Sequence, residues 1–133
     1  MSYIPLTKSE EKLMLFLWEQ DRPMSVAEML EAWDNHAWTK NYTRDIVRSL
    51  EQKGAVEFHD LDHRGSKYAR RFRTALTKES YYAQLAKHSG VTVSKMLKAE
   101  AVAMVTKGDR EGMKDLIREL EEIIEEYRIE DED

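Results

Sequence analysis

Between Trp38 and Arg73 the apolar residues change period once, at Gly54, and that change limits the folds open to the chain. From Thr39 to Lys53, Ile46, Val47 and Leu50 fall on one helical face while Lys40, Arg44 and Arg48 recur at i, i+4 spacing on another. Gly54 then supplies the residue that most readily takes the left-handed conformation closing a helix. Beyond it the period becomes two. Val56 and Phe58 alternate with Glu57 and His59, and Tyr68 and Phe72 with Ala69 and Arg71, around a turn-rich tip at 60–66. The run predicts a capped basic helix joined to a basic hairpin, with one helical face packed and the other free to meet an anion.

Two more helices precede this unit. Thr7 with Glu10 and Ser25 with Glu28 each have the spacing of a capping box, in which each side chain satisfies the other residue's backbone N–H. Leu13, Met14, Leu17 and Trp18 form the apolar stripe of the first helix, and Val26, Met29, Leu30 and Trp33 that of the second. Three helices followed by a hairpin is the order of a winged helix-turn-helix, expected over residues 1–76. Three further helices are expected in 77–133: one carrying Tyr81, Tyr82 and Leu85; one carrying Val93, Met96, Leu97, Ala101, Met104 and Val105; and one carrying Met113, Leu116, Ile117, Leu120, Ile123, Ile124 and Tyr127. The last stripe is the most regular and has few intramolecular partners left, so packing of two copies about a two-fold axis is expected to bury it. The expected fold is mainly α with a small β-hairpin, a winged helix-turn-helix followed by a helical dimerisation domain with an acidic tail.

A net charge of −5 argues against a nucleic-acid partner only until its distribution is read. Residues 38–76 carry nine Lys/Arg against five Asp/Glu, whereas residues 77–133 carry nine against fourteen. A local basic face is what phosphate contacts need. The absence of cysteine excludes disulfides, cysteine catalysis and thiolate metal sites. With no long apolar run and no cleavable signal, a cytoplasmic protein without membrane association is expected. No phosphate-cradling glycine-rich loop occurs and the carboxylates cluster on solvated faces, so neither an enzyme nor a cofactor is expected.

The layout resembles the penicillinase-repressor family of bacterial winged-helix regulators, which includes repressors of β-lactamase, methicillin-resistance and copper-transport operons. The resemblance rests on the opening Leu6-Thr-Lys-Ser-Glu-Glu-Lys-Leu-Met-Leu-Phe-Leu-Trp18, on Trp38-Thr39, and on Val47-Arg-Ser-Leu-Glu-Gln-Lys-Gly54 leading into the first wing strand. It implies a homodimer that binds a palindromic operator through the winged helix and dimerises through its C-terminal helices. Where the family often has proline after the Ser/Thr cap, this chain has Lys40. It lacks both the cysteine cluster of the copper-responsive branch and the Asn-Phe pair cleaved in the antibiotic-responsive branch. The signal that releases it, whether an upstream sensor, a protease or a ligand, therefore stays open.

On this reading the N-terminal half of helix 39–53 enters the major groove of double-stranded DNA. Asn41 and Arg44 are the expected base readers, since an amide pairs with adenine and a guanidinium with guanine through two hydrogen bonds. Lys40, Tyr42, Thr43 and Arg48 are candidates for nearby phosphate or base contacts. In the wing, Arg64, Lys67, Arg71 and Arg73 are expected to reach flanking phosphates or enter a narrow minor groove, while Arg70 shares the aromatic face and reads as structural. Trp18, Trp33 and Trp38 read as packing residues. His59 and His63 with Asp60 and Asp62 lack a rigid ligand spacing, so no metal site is expected. Two other functions compete with a repressor. One is a winged helix used for protein interaction without sequence-specific DNA binding; the other is a small-molecule sensor with Met96, Met104 and Met113 in its pocket.

Overall fold

The computed structural model describes residues 3–33, 37–63 and 68–131. Its elements are α1 (Lys8–Gln20), β1 (Met24–Ser25), α2 (Val26–Ala32), α3 (Lys40–Lys53), β2 (Val56–Asp62), β3 (Ala69–Thr74), α4 (Lys78–His88), α5 (Val93–Lys107) and α6 (Arg110–Asp131). They divide into two compact units, Met1–His88 and Ser89–Asp133.

Both anticipated capping boxes form. Thr7 and Ser25 each accept from the backbone N–H of the glutamate three residues on, and Glu10 and Glu28 accept in return. Thr39 caps α3 by accepting from Tyr42 N–H. At the other end Gly54, at φ 80°, turns the chain so that its own N–H and that of Ala55 reach back to helical carbonyls. A β-carbon there would be strained by that backbone angle. These caps place α3 between α1 and the sheet, where Val47 and Leu50 join Leu13, Met14, Leu17, Met24, Met29 and Val56 in the core of the first unit.

The sheet has one strand more than the expected hairpin. Its order is β1-β3-β2, all antiparallel, with Met24 opposite Phe72 and Ser25 opposite Arg71. A two-residue strand is too short to show alternation, and its sequence is read first as the cap of α2. Within β2·β3 the register shifts between Phe58 and Asp60, so that Asp60, not His59, lies opposite Arg71.

Helix α4 packs within the first unit. Tyr81 is buried, its ring lies 6.0 Å from that of Trp18, and its hydroxyl donates to Glu11 at 3.0 Å. Burial first, and then this bond to a carboxylate, push the Tyr81 hydroxyl well above its ordinary range. By packing, the two units divide between His88 and Ser89. In the second unit α5 and α6 are joined through Gly108 and Asp109, whose carboxylate accepts from Gly112 N–H at the start of α6. None of the described residues of this unit is buried. Val93, Met96, Leu97, Val105, Ile117, Ile123, Ile124 and Tyr127 are exposed, while Ala101, Met104, Met113, Leu116 and Leu120 are half-buried.

Candidate nucleic-acid interface

An α-helix with apolar residues four and three apart must turn one face inward and leave its remaining residues to solvent. In α3 the buried face is Thr43, Val47 and Leu50, and the outer face carries Lys40, Asn41, Arg44 and Arg48, all exposed. Among the described residues none of these four outer side chains makes a hydrogen bond or an ion pair, so their polar groups are open to a ligand.

Contacts at both ends position this face. Near the N-terminus an aromatic chain runs from Phe16 in α1 through Trp33 and Trp38 to Tyr42, with ring centroids 4.8–5.1 Å apart. The Tyr42 hydroxyl is 2.7 Å from the Ser9 hydroxyl of α1. At the C-terminal end Glu10, with 1% of its surface exposed, accepts from Thr7 N–H at 2.9 Å, from Ser49 Oγ at 2.7 Å and from Lys53 Nζ. Burial alone would raise the Glu10 carboxyl, but Lys53, the Thr7 backbone and Ser49 together outweigh it and hold the group below its ordinary value. Lys53 also donates to the Pro5 carbonyl at 2.9 Å. Helix α3 is thus tied to α1 at both ends.

A cleft of about 500 Å³ separates α3 from β3. Val26, Ala27, Val47 and Phe72 give it an apolar floor, and Lys40, Arg44, Arg48, Glu51, Tyr68 and Arg70 its polar rim. Arg70 spans the cleft, bonding Glu51 of α3 at 2.8 Å and stacking over Phe58 and Phe72 at 5.1 and 4.9 Å. Its guanidinium locks the hairpin to α3, which matches its expected structural role.

The other anticipated contacts are distributed differently. Thr43 is fully buried and its hydroxyl donates to the Thr39 carbonyl at 2.8 Å, so it cannot touch a ligand; it lies four residues before Val47 on the inward face. Tyr42 is half-exposed but turned toward Ser9 and Trp38, where it docks the helix. Arg71 bonds Asp60 through two 2.7 Å contacts, and Arg73 bonds Glu57 at 2.7 Å. The bond to Arg71 holds the Asp60 carboxyl below its usual range and raises the Arg71 guanidinium. These two arginines, expected to be free because they point away from the aromatic face, are paired within the hairpin. Arg64 and Lys67 lie outside the described residues.

The sequence does not single out Glu10, Glu51, Glu57 and Asp60 as partners of the residues in this candidate interface. Local sequence marks only Glu10, and only as the second member of a capping box; its bonds to Ser49 and Lys53 join residues about forty positions apart. Among the described residues no three metal-ligating side chains converge, and no helix is long and apolar enough to cross a membrane. No curated protein and no solved structure matches the chain significantly. A family model described as penicillinase repressor matches residues 6–126.

Proposed function

The chain belongs to the penicillinase repressor family, whose members are transcriptional regulators and not enzymes, and from that premise we propose that it is a homodimeric, sequence-specific repressor. Its α3 enters the major groove, with Asn41 and Arg44 reading base edges and Lys40 and Arg48 holding phosphates on either side. The observation that carries this reading is the outer face of α3. It presents three cations and an amide on a helix fixed at both ends, with no partner among the described residues. A merely solvated face would not require such anchoring.

The second unit supports a dimer. Ile117, Ile123, Ile124 and Tyr127 step along α6 by helical spacing and are between 47% and 60% exposed in the single chain. A second copy would cover them. Two copies of α3 related by a two-fold axis would meet successive major grooves about 34 Å apart, so the operator is an inverted repeat. Such a protein works in the cytoplasm.

One observation favours the rival, a protein-interaction module. The described strands of the hairpin carry Glu57, Asp60 and Asp62 against Arg70, Arg71 and Arg73 and so have no net charge. Selection of bound duplexes from a random DNA library separates the two readings. A palindromic winner whose affinity falls steeply with salt supports the repressor, and recovery of no enriched sequence overturns it.

A further inference from the structure

The two cation sets of the first unit are treated differently. On α3, Lys40, Arg44 and Arg48 are unpaired among the described residues. On the hairpin, Arg73 lies directly opposite Glu57 and Arg71 directly opposite Asp60, each pair closed by 2.7 Å hydrogen bonds. The second pairing depends on the register shift after Phe58. Strict alternation would set His59 opposite Arg71, and the extra residue substitutes a carboxylate.

A phosphate that approaches this part of the wing meets a compensated pair. To recruit Arg71 it must break a two-bond guanidinium–carboxylate contact, and once the arginine turns away the bare Asp60 carboxylate repels the same phosphate. Both routes weaken binding. Contacts to phosphate draw all duplexes alike, whereas base contacts discriminate among them. Charge-compensated strands beside a cationic reading helix therefore shift affinity from the sequence-independent part to the sequence-dependent part.

We propose that Glu57 and Asp60 are specificity-determining residues, which hold Arg73 and Arg71 away from the phosphate backbone and so suppress binding to non-operator DNA. This rests on the reading of the chain as a DNA-binding repressor and names a control built into the same interface.

The test compares the full-length protein with its Glu57→Gln/Asp60→Asn variant. The probe is a labelled random-sequence duplex of about 30 base pairs, titrated over salt from roughly 50 to 200 mM. A second variant, Glu19→Gln/Glu79→Gln, makes the same charge change at two exposed positions outside the hairpin. The hairpin variant should bind the random duplex about tenfold tighter in roughly 100 mM salt, with a slope of log K against log salt steeper by about 2 per protomer. Its preference for the selected operator should fall correspondingly. Unchanged affinity and slope, or an equal gain in the Glu19/Glu79 variant, would overturn the inference. Failure of every protein, wild type included, to bind any duplex in low salt would overturn the DNA-binding reading itself, and this inference with it. Should the double variant lose its helical spectrum, Glu57→Gln alone, at a pair about half exposed, carries the same sign with about half the change in slope.

Discussion

Glu10 offers the sharpest test of how α3 is held, because one buried carboxylate joins the cap of α1 to the end of α3. Glu10→Gln keeps a side-chain carbonyl that can still accept from Thr7 N–H, since glutamine serves in a capping box. It removes the charge facing Lys53 and turns one acceptor into a donor, so the bonds from Ser49 and Lys53 cannot both survive. A charge-assisted hydrogen bond contributes about 1.5–3 kcal/mol and a neutral one about 1, so the expected loss is about 2–3 kcal/mol. Glu10→Ala also removes the cap's return bond and should cost about 1 kcal/mol more. Because the folded carboxyl lies below its ordinary value, its stabilisation is complete above that value and disappears as pH falls through the depressed one. Urea unfolding of wild type and Gln variant, at one fixed protein concentration, should show the full gap at about pH 7 and a gap that narrows steadily as the pH falls below the ordinary carboxylate range. A Gln variant as stable as wild type at neutral pH, or a gap unchanged in acid, would refute the assignment.

Other expectations follow from the same geometry. Arg44→Ala should lower operator affinity by about 1–3 kcal/mol and relax one base preference, measured by titration against single-base operator variants; unchanged preference would remove Arg44 as a base reader. Ile123→Asp sets a charge in the exposed stripe of α6 and should shift the protein from dimer to monomer in sedimentation at micromolar concentration, with persistence of the dimer arguing for another interface. Gly54→Ala forces a β-carbon at φ 80° and should cost about 1 kcal/mol or more in thermal unfolding, whereas no loss would mean the turn relaxes freely.

What the sequence revealed follows the range of the interaction concerned. The caps at Thr7, Ser25 and Thr39, the stop at Gly54 and the inward stripe of α3 are set within one or two helical turns, and periodicity exposes them directly. Thr43 could have been placed correctly by the same rule, since it precedes Val47 by four and Leu50 by seven; its polar side chain obscured a position that the spacing defines. Strand β1 was hidden because two residues carry no period. The pairing of Arg71 was hidden for a subtler reason. Alternation assumes unbroken register, and one extra residue near His59 changes which side chain lies opposite every later position. The bonds of Glu10 to Ser49 and Lys53, and of Arg70 to Glu51, leave no local trace, because each depends on how the chain returns after a loop.

The same distinction bears on how one winged helix can tell its site from other DNA. Base reading needs side chains placed to within a fraction of an ångström, and only a helix fixed against its neighbours provides that. In this protein α3 is fixed by Ser9 and Tyr42 at one end and by Glu10, Ser49 and Lys53 at the other, while Glu51 and Arg70 tie it to the hairpin. Each of these links spends a polar group of α3 or its partners on position and leaves Lys40, Asn41, Arg44 and Arg48 unspent. In the described strands of the hairpin the allocation is reversed, with Arg70, Arg71 and Arg73 all engaged within the protein. Loosening the anchors of α3 and freeing the arginines of the hairpin should therefore have opposite effects. The first lowers operator affinity and leaves binding to random duplexes nearly unchanged, whereas the second raises binding to every duplex, and both erode the ratio on which selective repression depends.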